Sequence, residues 1–406
     1  MKVSKKRMLA AVAVLMALAM IATGCSGGST STSGGTTAVK EIKIGVGAPL
    51  TAGAVALGKG MERGAGLAIA QANESAAVKA AGIKFVAVSG DDQGDPKTGV
   101  TVANTFASDP NLLGVMGHLN SGVSIPASKV YSDKKIVMIS PASTNPALTA
   151  QGLTNVFRVC TTDAVQGPAA ADYAFKLLGF KTAYVVDDST PYGDGLAVEF
   201  AKQFTANGGT VVGTAKTSDK DTDFNALVTK MKGTSPAVIY YGGIYNAGAL
   251  LSKQAKDAGL KAPLLGGDGL YDQQFIDLAG AAQAEGDFCT SVGLPIDELP
   301  AGKEFKAAYE AKYPGEPIAA YDAYSYDATN IIINAIVNAA KTVGIAKITT
   351  PEGRTAVIAD VAATNDTKAI TGAVTFSATG DTNNKAITLY TVSGGKWITK
   401  ATSVPK

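Results

Sequence analysis

Residues 83–116 read IKFVAVSGDDQGDPKTGVTVANTFASDPNLLGVM. The stretch 83–89 is rich in β-branched and aromatic residues, as a strand packed on a core requires. Asp95-Pro96 then opens a helix to about residue 108. The aspartate caps amides that lack intrahelical acceptors, and the proline brings a φ already helical to the first turn. Residues 112–116 return to a short apolar run. Strand, helix and strand at these lengths make a βαβ unit, which lays two parallel strands in one sheet through a right-handed crossover.

The pattern extends in both directions. Strands are predicted at 42–48, 112–116 and 136–139, with helices at 58–74 and 121–132. It restarts after Gly167, with helices at 168–178, 194–207, 223–232 and 247–258 and strands at 182–186, 210–214, 237–241 and 263–266. Longer helices follow at 299–313 and 321–343, and the tail 372–397 reads as short strands. Two such runs imply two lobes, each an α/β doubly wound sheet that is mostly parallel. No repeat of solenoid period is present.

The chain starts with Lys2, Lys5, Lys6 and Arg7, followed by an apolar run of 15 residues, 8–22, and then Thr23-Gly24-Cys25. The run is short for a bilayer span and suits a signal-peptide core. The segment resembles a lipobox, with Ala22 where leucine is commonest. Residues 1–24 are therefore read as a lipoprotein signal peptide and Cys25 as the lipidated residue. The plainer alternative is an ordinary signal peptide with Cys25 a bystander. Residues 25–39, nearly all Ser, Gly and Thr, bury too little to fold and read as a tether. The body is then exported and lipid-anchored, in the periplasm or on the outer face of the cytoplasmic membrane.

Without the leader's four basic residues, the balance of 36 basic against 34 acidic becomes 32 against 34. That balance argues against a nucleic-acid partner. The single histidine, His118, cannot build a multi-histidine metal site. The one G-x-S-x-G match, residues 24–28, spans the end of the leader and the start of the tether, with no strand before it to make a nucleophile elbow, and the loop 47–58 lacks the G-x-G-x-x-G of a phosphate cradle. An enzyme, a metal and a cofactor are all disfavoured. Cys160 and Cys289 are either a disulfide, in keeping with export, or two small buried side chains.

Doubly wound sheets bind ligands beyond the carboxyl ends of their strands. Ser121 falls there at a helix start, in G-H-L-N-S (117–121), where a hydroxyl and free amides suit a carboxylate. Thr144, in S-P-A-S-T-N-P (140–146), offers a second hydroxyl beside Ala142 and Ser143. In the second lobe, Tyr192 ends D-D-S-T-P-Y (187–192), and Asp268 sits between glycines in L-G-G-D-G-L (265–270). Hydroxyls and amides facing an acid suit a zwitterion. Capping and turn roles are the plainer readings of the same residues.

The ordered set D-D-Q-G-D-P-K-T-G-V-T-V-A-N, G-H-L-N-S, P-A-S-K-V-Y, I-S-P-A-S-T-N-P-A-L-T, Y-G-D-G-L-A, Y-Y-G-G and A-G-L-K before L-G-G-D-G closely resembles the leucine/isoleucine/valine-binding proteins, the amino-acid receptors of ABC importers. The resemblance implies the type I periplasmic binding fold: lobes of 40–162 plus 291–373 and of 163–290 plus 374–406, joined by a multi-strand hinge. It also implies a monomer that closes on an aliphatic or otherwise apolar α-amino acid and docks on an ABC permease. Carried over by position, Ser121 and Thr144 match carboxylate-binding hydroxyls. The Ala142 carbonyl and Asp268 match the ammonium grip, with aspartate where glutamate is usual. Tyr192 matches a wall tyrosine, and Leu119, Asn120 and Tyr321 match further pocket positions. His118 lies just outside the contact set, as scaffold. Leu57 and Ile244 stand where tyrosines are usual, unless local register brings Tyr245 into the second place. Cysteines that would form the relatives' first-lobe disulfide are both absent, at Gly94 and Asn120. The same fold used as a sensor, or for an amide or urea-type ligand, is the competing reading; it would not need Asp268.

Overall fold

The computed structural model describes residues 39–404; Cys25, the leader and nearly all of the tether lie outside them. The first sheet is laid down by β1 (Lys40–Ala48), α1 (Val55–Glu74), the short α2 (Ala76–Ala80), β2 (Ile83–Asp91), α3 (Pro96–Ser108), β3 (Leu112–Gly117), α4 (Ser121–Asp133), β4 (Val137–Ser140) and β5 (Val156–Arg158). Its strands run parallel in the order β2-β1-β3-β4-β5. Ile42, Ile44, Val46, Leu113 and Val115 are wholly buried. Leu113 and Met116 pack into the core cluster on one face of the sheet and Leu112 and Val115 into that on the other, across a register shift between β1 and β3; every residue of β3 is buried. Helices on both sides explain this, and explain why the strand reads as an unbroken apolar run.

The second sheet follows from α5 (Asp163–Asp172), β6 (Thr182–Asp187), α6 (Pro191–Ala206), β7 (Thr210–Lys216), α7 (Asn225–Thr234), β8 (Val238–Gly242), α8 (Tyr245–Asp257), β9 (Leu264–Gly266), α9 (Gln273–Ala279), α10 (Ala281–Ala284) and β10 (Phe288–Val292). Its parallel part, β7-β6-β8-β9-β10, repeats the winding order of the first sheet. After α11 (Gly302–Lys312), α12 (Asp322–Val343), α13 (Pro351–Ala362) and a small ladder of β11 (Asn365–Asp366) with β12 (Val374–Thr375), the chain adds β13 (Ile387–Ser393) and β14 (Lys396–Ser403) antiparallel at the β10 edge. α12 packs on α1, β3 and β4 and so covers the first sheet. The chain therefore passes between the sheets three times: after β5, after β10 and before β13.

Glycine sets how closely α1 and α12 approach. A Cβ at Gly60 would stand 1.9 Å from Asp322 Oδ1, and one at Gly64 would stand 2.1 Å from the Asp322 carbonyl oxygen. Any side chain there would push away the first turn of α12.

Several expectations need correction. The helix expected at 168–178 starts at Asp163, with Pro168 in its interior, and ends in a wider π turn, Tyr173–Leu177. Burial of Gln166, Ala169 and Ala170 carries the helix across Pro168. The helix expected at 299–313 begins at Gly302, after a 3₁₀ turn at Ile296–Glu298. The strand-like stretch 156–162 yields only the short β5, and α13 is unanticipated, although Thr350-Pro351 repeats the cap-and-proline signal; the Thr350 hydroxyl accepts the Gly353 N–H. The disulfide alternative is overturned: Cys160 and Cys289 are free thiols, both fully buried. They fill the core as small apolar groups.

Candidate functional site

In each sheet the winding reverses between two central strands, β1 and β3 in the first and β6 and β8 in the second. Loops leaving such strands diverge and open a crevice. A pocket of about 280 Å³ lies where the two crevices meet. Its first-sheet wall is Leu57, beyond β1, Leu119, Asn120 and Ser121, beyond β3, and Ala142, beyond β4. Its second-sheet wall is Tyr192, beyond β6, Ile244, beyond β8, and Gly269, beyond β9, with Tyr321 completing it from the residue that precedes α12. A pocket walled on both sides by these nine residues suits a small molecule rather than a polymer.

One pole of the pocket offers hydrogen-bond donors. Ser121 opens α4, where the amides of Ser121 and Gly122 have no backbone acceptor while those of Val123 and Ser124 donate to the Asn120 carbonyl. Its Oγ accepts the Asn145 N–H at 3.2 Å, which leaves the hydroxyl proton free to donate. Thr144, expected at this pole, does not line the pocket; its hydroxyl is buried behind the wall without a well-aligned hydrogen bond, as is the Asn120 Oδ1.

The other pole is acidic. Asp268 is wholly buried beneath the wall. The Tyr192 hydroxyl donates to its Oδ1 at 2.8 Å and the Tyr321 hydroxyl to its Oδ2 at 2.5 Å. Burial raises the Asp268 pKa, while the two phenols, Tyr321 first, pull it back by stabilising the charge. Burial also pushes both phenols far above their ordinary range, with the Asp268 charge adding to it, so they act as neutral donors. The Tyr192 oxygen accepts the Gly269 N–H at 3.0 Å, which fixes the ring against the turn. None of the salt bridges among the described residues gives Asp268 a basic partner.

His118 is scaffold. It is wholly buried, with Nδ1 2.7 Å from Asp92 Oδ2 and Nε2 2.8 Å from the Tyr131 hydroxyl. Its carbonyl accepts the hydroxyls of Ser140, at 2.8 Å, and Ser143, at 3.2 Å, and so ties the loops after β3 and β4 together. Ser143 was expected in the pocket; its hydroxyl instead lies one layer back, 2.9 Å from the Leu119 carbonyl and 2.6 Å from Ser124 Oγ. Tyr245 does not take the place of a wall tyrosine at Ile244. Its hydroxyl reaches the Ala56 N–H at 3.3 Å, across to the first-sheet side. Gly269 was missed, although its place after Asp268 in a glycine-flanked turn was the signal for it.

Residues 41–396 match the periplasmic binding protein family. A Leu/Ile/Val-binding protein homolog from Brucella melitensis is 35% identical over 362 residues, 88% of this chain and 93% of the relative. The chain belongs to the leucine/isoleucine/valine-binding protein family. Another member, Leu/Ile/Val-binding protein homolog 1 of Brucella abortus, is 37% identical over 310 residues, 76% of this chain and 81% of its own. Among solved structures, the leucine-binding LivK of Thermotoga maritima superposes with a TM-score of 0.81 at 29% identity, covering 90% of this chain and 99% of LivK. The Streptococcus pneumoniae LivJ, solved with isoleucine, gives 0.77 at 27%, covering 90% and 99%. These members are solute-binding proteins, not enzymes, and the present chain shares their type I periplasmic binding fold.

Proposed function

We propose that the protein is the substrate-binding component of an ABC importer and that it takes an aliphatic α-amino acid as its zwitterion. Cys25 anchors it to the membrane by lipid, and residues 40–162 plus 291–373 form one lobe and 163–290 plus 374–406 the other. The observation that carries the reading is the polarity of a single small pocket. Donors at Ser121 and the start of α4 stand on one wall. A buried carboxyl, Asp268, held by hydroxyls but lacking a basic partner, stands behind the other. Such an acid calls for a cation from the ligand, and charge-assisted hydrogen bonds at both ends supply affinity. Leu57, Leu119 and Ile244 give the ligand side chain an apolar surround. The named ligands of LivK and LivJ agree with this chemistry.

Thermal unfolding of the mature body with each proteinogenic amino acid tests the reading, because a ligand bound only by the folded form raises the midpoint. Leucine, isoleucine or valine should raise it, and 4-methylpentanoate, leucine without its ammonium, should do so far less. Asp268→Asn should abolish the amino-acid response. A shift caused by amides or urea, unaffected by Asp268→Asn, would favour the amide-receptor reading instead.

A further inference from the structure

Asn145, in the loop beyond β4, stands outside the pocket wall yet bonds to both sides of it. Its backbone N–H donates to Ser121 Oγ at 3.2 Å, and its Oδ1 accepts the Ala147 N–H at 2.8 Å. Its carbonyl accepts the Arg158 guanidinium at 2.9 Å. These three contacts belong to the first-sheet side. The fourth crosses over: Asn145 Nδ2 donates to the Pro191 carbonyl, at the start of α6, at 2.6 Å. Arg158 fixes the loop from below. It is wholly buried, and it also donates to the Ser143 carbonyl at 2.8 Å, Thr149 Oγ1 at 2.7 Å and Asp381 Oδ1 at 2.7 Å.

Glycine makes room for the crossing on both sides. A Cβ at Gly195, on α6, would stand 2.7 Å from Asn145 Nδ2 and 3.1 Å from Asp163 Oδ2, and one at Gly122, on α4, would stand 3.1 Å from Pro191 Cδ. Neither glycine takes a left-handed φ, so what each supplies is space. The other contacts that reach across beside the pocket run from Asn246 Nδ2 to the Gly53 carbonyl at 3.3 Å and from the Ala56 N–H to the Tyr245 hydroxyl at 3.3 Å. They are longer and involve neither Ser121 nor Asp268.

The Asn145 contacts connect the two poles of the pocket. Asn145 donates to Ser121, whose own proton is free for a ligand carboxylate. Asn145 also holds Pro191, and the next residue, Tyr192, donates to Asp268 at 2.8 Å. A carboxylate that accepts from Ser121 polarises its oxygen and strengthens the bond it receives from Asn145. We propose that Asn145 is a positioning residue that makes closure depend on the ligand carboxylate: occupation of the donor pole steadies Asn145, which holds the start of α6, and with it Tyr192 and Asp268, over the ammonium end. The inference rests on the amino-acid reading above. A contact made only in the closed form adds to ligand affinity without touching the ligand, because ligand and contact favour the same state.

Two variants of the mature protein test this. Asn145→Asp keeps an acceptor for the Ala147 N–H but deletes the donor to Pro191. Gly195→Ala leaves Asn145 in place and crowds its Nδ2. Calorimetry and stopped-flow mixing with L-leucine give affinity and rates, and small-angle scattering with and without L-leucine gives closure. In both variants the affinity should fall about tenfold, the usual effect of losing one hydrogen bond, and the fall should come from faster dissociation. Leucine should compact the unaltered protein and compact the variants less, while the unfolding midpoint without ligand stays unchanged. Affinity and dissociation rate unchanged in both variants, with leucine bound by the unaltered protein, would overturn the inference and leave the amino-acid reading standing. A fall in affinity matched by a fall in the unliganded midpoint would make Asn145 a support of the fold only, and would overturn it too. Absence of binding by leucine, isoleucine and valine to the unaltered protein would remove the reading and the inference together. If Asn145→Asp fails to fold, Gly195→Ala gives the same readings by itself.

Discussion

The Tyr321 hydroxyl lies 2.5 Å from Asp268 Oδ2, joining the residue that precedes α12, on the first-sheet side, to the turn beyond β9, on the second-sheet side. It is a hydrogen bond across the pocket to a buried carboxyl, the kind worth most when made and costliest when lost. Tyr321→Phe keeps the aromatic wall and deletes only the donor. Amino-acid affinity should fall by about ten- to a hundredfold, since hydrogen bonds to charged groups contribute roughly 1.5–3 kcal/mol. Calorimetry checks this, and unchanged affinity would mean that the contact contributes nothing to the bound state.

The fold was legible because each strand and helix carried its own signal. Asp95-Pro96 is one case: the Asp95 side chain accepts the Thr98 N–H and Pro96 stands in the first turn. The loops beyond β3, β4 and β6 followed from one topological rule, which singled out Ser121, Ala142 and Tyr192, while Leu57 and Ile244 came from the resemblance; all five share a pocket. The direction of a side chain at such a strand end could not be read. Ser143 and Thr144 are neighbours in sequence, yet the Ser143 hydroxyl is spent on the Leu119 carbonyl while that of Thr144 keeps no well-aligned partner.

Leu57 and Ile244 occupy places where the resemblance leads one to expect tyrosines, and both line the pocket. Leu57 is wholly buried, so shortening it opens space rather than exposing surface. Leu57→Ala should weaken leucine relative to phenylalanine, because each methylene lost from an apolar contact shifts discrimination by about 1–3 kcal/mol. Thermal-shift ranking of leucine against phenylalanine in the two proteins reads this out. An unchanged ranking would place the ligand side chain away from Leu57.

His118 should matter for stability and not for ligand contact. Replacing it with alanine leaves the buried Asp92 carboxyl and the Tyr131 hydroxyl without their 2.7 and 2.8 Å partner. Leaving a buried polar group without its partner costs about 1–3 kcal/mol for each group. His118→Ala should therefore unfold at markedly lower denaturant concentration, while the folded fraction keeps its amino-acid affinity within a few-fold. A large affinity loss at undiminished stability would move His118 into the site.

Asp322 follows Tyr321 and lies wholly buried against Gly60. Burial pushes its carboxyl from 3.8 up to about 7, against the pull of the Tyr309 hydroxyl and the Arg63 charge. The folded form thus keeps a proton that the unfolded chain has already lost. The associated stability is complete below the unfolded value, near pH 4, and is lost as the pH rises through about 7. Within that window the slope is at most about 1.4 kcal/mol per pH unit for one group. Asp322→Asn cannot titrate, so the difference in unfolding free energy between it and the unaltered protein should shift in the variant's favour from pH 4 to pH 7 and level off above. Other buried carboxyls contribute equally to both proteins and cancel in that difference. Denaturant unfolding at half-unit steps of pH measures it, and a difference that stays flat across the window would show that Asp322 is ionised in the folded protein, with its charge held by Arg63 and Tyr309.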